Sequence, residues 1–247
     1  MIKKALLAVM VICCASIALG QGFPVWERIL RHYSGTTDET PVPSMKMGAH
    51  MQMSLQGDPA PADAARAMEI LAAAHAVLSH YQDVTTAVRE GYKPFFPTGR
   101  IGEEIHYTNN RYRRKEQQHV DYSHPGSILY KRTAEGLTAV GVMYTAPVDA
   151  SPQQLDAIAP LSVATWHRHV DFCGGPTSLP KTEQFGPTAR FGPQGSIHTE
   201  EECRAAHGLW IPVVLGWMTH VYPDAPEQWG GMDMNMEAGA PDAGGAH

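Results

Sequence analysis

The chain has 247 residues, of which 43% are hydrophobic and 18% charged, and its formal net charge is −6 at pH 7. An acidic chain lacks the basic surface on which proteins bind nucleic acid, so we expect no nucleic-acid partner. The chain has four cysteines, 13 histidines and 12 methionines. Histidine and methionine side chains can bind metal ions.

The first 20 residues have the pattern of an export signal. Lys3 and Lys4 precede an apolar run over residues 5–19, which the small residue Gly20 follows. Such signals are removed from the mature protein, and this run is shorter than the about 20 apolar residues of a spanning helix. We therefore predict a signal peptide over residues 1–20 and a periplasmic or secreted mature chain with no membrane span.

Two cysteines, Cys173 and Cys203, remain after that cleavage. In an oxidising compartment such a pair forms a disulfide more often than two free thiols. We predict a Cys173–Cys203 disulfide, with a thiolate metal ligand as the alternative for one of the two.

Helical periodicity is strongest over residues 61–90, where small and apolar residues recur at helical spacing before Gly91. This pattern predicts one long Ala-rich helix or two shorter pieces. Short helices are expected where Ser151 precedes Pro152 and where Thr199 and Glu202 form a capping box.

The middle and end of the chain predict antiparallel strands, including a hairpin that turns at Gly136. The expected strands cover residues 127–132, 137–144, 161–172, 210–215 and 217–222. We predict an α+β fold with a small antiparallel sheet, a long Ala-rich helix and one disulfide, in a single domain over residues 61–224. A flexible Met-rich leader over residues 21–60 and a disordered tail over residues 225–247 are expected to flank it.

Two histidines, His167 and His169, lie two positions apart in a predicted strand. Positions i and i+2 of a strand point the same way, with Cα atoms roughly 6.5 Å apart, which suits two imidazoles on one metal ion. His106 and His220 also lie in apolar extended stretches. We predict that at least three of these four bind one metal; otherwise two belong to the core and two to the surface.

Two Met-rich segments add soft ligands in polar surroundings that offer no core to fill. Thioethers select Cu(I), so we predict copper, with silver as its chemical companion and zinc as the alternative. The predicted secondary Cu(I) ligands are Met45, Met47, His50, Met51, Met53, Met232, Met234 and Met236.

A further group, His119, Asp121 and His124, also has ligand types. Because it follows the basic run over residues 111–115, a solvated loop is the first interpretation. A second metal site there is left open.

The motif order resembles a family of exported proteins that has no established activity. The resemblance covers roughly residues 70–223 and rests on His106-Tyr107-x-Asn109, Trp166-His-x-His169-x-x-x-Cys173 and Trp217-Met-Thr-His220-Val, with Cys203 between the last two. It implies that the four histidines belong to one motif set, and the Met-rich ends lie outside it.

The resulting functional prediction is an exported protein that handles copper by sequestration or delivery, its protein partner being unknown. The chain has no His-Glu-x-x-His, Gly-x-Ser-x-Gly or phosphate-loop motif, which favours binding over catalysis. The first alternative is a zinc or copper metalloenzyme in which Glu103 or Glu104 accepts a proton. The second is a structural or partner-binding module.

Overall fold

A computed structural model describes residues 44–46, 49–95, 101–184, 186 and 188–229. In this part of the chain eight strands form one antiparallel sheet in the order β1-β2-β7-β8-β6-β5-β4-β3. The strands are β1 (Ser44–Lys46), β2 (Met51–Ser54), β3 (Lys93–Pro94), β4 (Glu104–Thr108), β5 (Ser127–Arg132), β6 (Leu137–Ala146), β7 (His167–Gly174) and β8 (Leu209–Val221).

The helices are short apart from the first. They are α1 (Asp63–His80), α2 (Val84–Arg89), α3 (Asn110–Glu116), α4 (Pro152–Ile158) and α5 (Glu200–Ala205). Single 3₁₀ turns cover Lys181–Glu183 and Pro226–Gln228. Side chains cap four of the helices, because Asp83, Asn109, Ser151 and Thr199 each accept a hydrogen bond from a backbone N–H of the first turn.

The predicted fold class is wrong. The sheet is large and dominates the fold, and residues 61–90 do not form one long Ala-rich helix. The helical pattern breaks because Asp83 caps a new helix three residues after α1 ends at His80. The sheet is larger than predicted because its outer strands are two to five residues long, too short to show alternation in the sequence.

Several local predictions are confirmed. Strands β5 and β6 form the predicted hairpin, and Gly136 has φ +143° in its turn. Helices α4 and α5 begin at the predicted capping residues. Cys173 and Cys203 form the predicted disulfide, which removes the alternative of a thiolate ligand.

The two faces of the sheet pack differently because side chains alternate along each strand. The helix-side core joins α1 to the sheet and includes Ile70, Ala74, Val77, Ile128, Tyr130, Val142 and Val221. The opposite-face core consists of Leu129, Met143, Phe172, Ile211, Val214, Leu215, Met218 and Tyr222. The register pairs His220 with Met143 and His167 with Met218, so both histidines belong to the opposite face.

The sheet begins before the predicted domain boundary at residue 61. Strands β1 and β2 fall within residues 21–60, predicted as a flexible leader, and β2 pairs with β7. Trp229, in the predicted tail, is buried in the helix-side core. The predicted signal peptide and residues 230–247 lie outside the described residues. No described helix is long and apolar enough to cross a membrane.

Candidate metal centre

The structure brings the four predicted histidines into one row of edge-to-face rings. The ring centroids of His106 and His220 are 5.0 Å apart, and those of His220 and His167 are also 5.0 Å apart. His169 follows, with its centroid 5.7 Å from that of His167. Imidazoles that share a metal ion through Zn–N bonds of about 2.0 Å have centroids roughly 5 Å apart, a spacing that edge-to-face packing of rings also gives.

Curvature of the sheet closes this row, because β5 and β6 lie between the strands of His106 and His220. The register shifts between Leu129 and Tyr130, where β5 faces β6, and Gly141 stands at the shift. A Cβ on Gly141 would lie 2.8 Å from Cδ1 of Tyr222 and 2.9 Å from the Val221 carbonyl oxygen. Glycine is therefore required for the close approach of β8 that folds the sheet over the histidines.

The four histidines of the row differ in how deeply they are buried. His167 is fully buried and His220 is 1% exposed, whereas His106 and His169 are partly exposed. Both ring nitrogens of His167 and Nε2 of His220 are buried without a hydrogen-bond partner among the described residues. A buried polar atom without a partner costs about 1–3 kcal/mol, so three such atoms in one place call for a ligand.

Glu104 completes the best-defined ligand group. One ligand atom from each of Glu104, His106 and His220 lies within 4.8 Å of the other two. Among the described residues, these three form the group of histidine and acidic side chains that could hold a metal ion. His106 Nε2 is 3.4 Å from Glu104 Oε1. The Tyr222 hydroxyl donates to Glu104 Oε2 over 3.1 Å and lies 3.4 Å from His220 Nδ1. Tyr222 thus orients two of the three ligands.

The environment keeps the buried imidazoles neutral. Burial lowers the pKa of His167 and of His220 well below the ordinary value, and the neighbouring histidines lower it further. Burial and the charge of His106 lower the pKa of His169 to about 4. Burial raises the pKa of Glu104, but its hydrogen bond with His106 and the nearby imidazole of His220 bring it below the usual range. At neutral pH His220 therefore offers a free nitrogen lone pair and Glu104 a carboxylate, the forms that bind metal.

Sequence reasoning named Glu103 or Glu104 only as a proton acceptor in the metalloenzyme alternative and did not include Glu104 among the candidate metal ligands. Glu104 and His106 are two positions apart in β4 and share a face. The same i and i+2 spacing drew attention to His167 and His169, so this signal could have found Glu104. Sequence reasoning also missed Tyr222, because only the curvature of the sheet brings it to Glu104.

The structure places some of the predicted methionine ligands near the histidine row and does not describe others. In the register Met51 pairs with His169 and Met53 with His167, so both methionines face the histidine row. Met45 lies in β1 opposite Met53. Met47, Met232, Met234 and Met236 lie outside the described residues.

His50 does not point its ring at this group. Its Nε2 is 2.6 Å from the carbonyl oxygen of Gly195, and its Nδ1 is 3.3 Å from that of Val170. These contacts fasten the loop before α5 to β2, which is a structural role.

The group His119, Asp121 and His124 lies on the surface, as the solvated-loop interpretation expects. His119 is exposed, and Nδ1 of the exposed His124 is 2.8 Å from Asp121 Oδ2. These residues do not form a metal-ligating group in the part of the chain that the structure describes.

The candidate centre therefore offers two imidazoles and a carboxylate, and four-coordinate metal sites of this kind leave one position for water or another ligand. Comparison of the chain with protein-family models, with curated proteins and with solved structures finds no match.

Proposed function

We propose that the protein is an exported copper-binding protein that serves in copper sequestration or delivery. Glu104, His106 and His220 hold the ion. The observation that carries the proposal is this ligand group, whose atoms lie within 4.8 Å of one another while the buried Nε2 of His220 has no hydrogen-bond partner among the described residues. A metal ion would satisfy that nitrogen and remove the cost of burying it unpaired.

Methionine favours copper over zinc in this proposal. The thioethers that the register sets beside the histidine row are soft ligands, which select Cu(I) and are of little use to Zn(II). They are Met51, Met53, Met143 and Met218. Silver, as Ag(I), shares this preference. Zinc remains the alternative at the harder Glu104 end of the row.

The disulfide supports the exported location. Disulfides persist in the periplasm and outside the cell and are rare in the reducing cytosol. The Cys173–Cys203 bond ties β7, which carries His167 and His169, to α5. An oxidising compartment would keep this bond formed. The apolar run over residues 5–19 is the export signal in this proposal.

Metal titration of the purified full mature chain tests the proposal. Glu104→Gln and His106→Ala should each weaken Cu(II) binding at least about tenfold, since each removes a direct ligand. His75→Ala is the matched control, because His75 is exposed on α1. Circular dichroism melts verify that the variants fold. Unchanged Cu(II) affinity in both site variants would sink the proposal, and absence of bound metal from native protein would favour the structural-module alternative.

The second candidate function is a metalloenzyme, favoured by one observation. The group supplies three ligands, and the side chains of His106 and Glu104 are 24% and 12% exposed, so a water molecule or substrate can reach the ion. Azide added to the Cu(II) form distinguishes the two. A new azide-to-copper absorption band indicates an open position and favours catalysis, whereas an unchanged spectrum indicates a closed site and favours binding.

A further inference from the structure

His167 has a different set of neighbours from the other histidines. In the register it pairs with Met53 of β2 on one side and with Met218 of β8 on the other. Directly paired residues of antiparallel strands project from the same face with Cβ atoms about 5 Å apart. Met53, His167 and Met218 therefore form a line across three adjacent strands.

Both ring nitrogens of His167 are buried without a hydrogen-bond partner among the described residues. Such an orphaned ring is rare, since the large majority of buried polar side-chain atoms are paired. Its immediate cross-strand neighbours are two thioethers, and Met218 is itself 2% exposed. Methionine has three rotatable bonds, so both sulfur atoms can turn toward the ring.

We propose that Met53, His167 and Met218 form a second metal position that takes a soft monovalent ion, Cu(I) or Ag(I). Two thioethers and one imidazole carry no charge and suit a soft ion of low charge. The site of Glu104, His106 and His220 has instead a carboxylate, which suits a divalent ion. This inference extends the proposed copper function and rests on it, but assigns the two oxidation states of copper to different ligands.

The two positions are adjacent because His220 and His167 have ring centroids 5.0 Å apart. His220 belongs to the divalent position and pairs in the register with Met143, another buried methionine. The row thus grades from oxygen and nitrogen ligands near β4 to nitrogen and sulfur ligands near β2.

Isosteric variants test the second position. Met53→Leu and Met218→Leu remove the sulfur and nearly keep the volume, so the fold should survive. Met68→Leu is the control, since Met68 is 70% exposed on α1. Ag(I) serves as a probe that does not change oxidation state. NMR of the imidazole ¹⁵N nuclei then reports on His167 itself, apart from any Ag(I) that the Met-rich segments hold.

In wild type and Met68→Leu, Ag(I) should shift the His167 ring nitrogens. In the double variant Met53→Leu/Met218→Leu that response should need at least tenfold more Ag(I), while Cu(II) affinity changes less than twofold. Glu104→Gln should have the reverse effect: Cu(II) affinity should fall at least tenfold, while the Ag(I) response of His167 changes less than twofold. An unshifted His167 in wild type, or an unchanged Ag(I) response in the double variant, overturns the second position. Loss of both metals in Glu104→Gln and in the double variant alike indicates one shared site and also overturns it. Failure of the proposed function shows separately, as Cu(II) binding that does not depend on Glu104.

Discussion

The rings of His106 and His220 are 5.0 Å apart at their centroids although two strands, β5 and β6, separate their own strands in the sheet. In a flat sheet three strand spacings would put them roughly 14 Å apart. The sheet must therefore curl, and the register shift beside Gly141 is where β5 and β6 depart from regular pairing. Bulges of this kind increase local twist and bend the strand, so the candidate metal centre depends on the curvature of the sheet.

Gly141→Ala tests that dependence. The new methyl group would stand 2.8 Å from the Tyr222 ring and 2.9 Å from the Val221 carbonyl oxygen, closer than van der Waals contact. We expect a loss of about 1–3 kcal/mol in the free energy of unfolding and weaker Cu(II) binding, measured by urea denaturation and metal titration. Thr138→Ala, at an exposed position of the same strand, should change neither. Full Cu(II) affinity in a folded Gly141→Ala protein would contradict the role of curvature.

Tyr222→Phe isolates the hydrogen bonds that orient the ligands. The hydroxyl bonds to Glu104 and lies 3.4 Å from His220 Nδ1, and loss of such a supporting group lowers metal affinity by about 10–100-fold. The variant should keep its metal stoichiometry, because no direct ligand is removed. Tyr107→Phe is the control, since Tyr107 lies in the same strand as Glu104 but packs against the helix-side core. Equal affinities of Tyr222→Phe and wild type would exclude an orienting role.

His169, which is only partly exposed, should make the metal-free protein sensitive to acid. Burial lowers the pKa of His169 from 6.5 to about 4, so between these pH values the unfolded chain binds a proton that the folded chain does not. The free energy of unfolding should fall with decreasing pH over this window, by up to about 1.4 kcal/mol per pH unit from this residue. The check is urea denaturation at several pH values. His169→Gln should flatten the slope and His75→Gln should not; a slope that His169→Gln leaves unchanged would count against this origin.

Glu116 should stabilise the fold independently of the candidate metal centre. The buried carboxyl accepts hydrogen bonds from Gly126 N and from both N and Oγ1 of Thr145. Glu116→Ala leaves these donors unpaired and should cost about 3 kcal/mol in unfolding free energy, with Glu69→Ala on the exposed face of α1 as control.

The titration of Glu116 has the opposite sign to that of His169. Burial raises its pKa from 4.5 to about 8 despite the hydrogen bonds from Thr145 and Gly126. The folded chain therefore keeps a proton that the unfolded chain loses between these values, and this residue destabilises the fold as pH rises. Glu116→Gln should abolish that contribution in denaturation experiments at pH 5 and pH 8. An identical difference between the two pH values in wild type and variant would refute the assignment.

Local features of the sequence determined much of this protein. The capping residues Ser151 and Thr199 predicted two helix starts, and Gly136 marked the hairpin, because each acts within a few residues along the chain. The Cys173–Cys203 pair followed from the cysteine count and the expected compartment. The residue types also identified the four histidines that the structure gathers into one row.

Only the tertiary structure decided which neighbours each of those histidines has. It placed His106 and His220 with Glu104 and set His167 between Met53 and Met218. It also placed β2 inside the sheet, where the composition of residues 21–60 had predicted a leader. Strand pairing and sheet curvature depend on contacts between residues far apart in the chain. Residue type and spacing therefore identify the candidate ligands, and the register of the sheet decides which of them can meet.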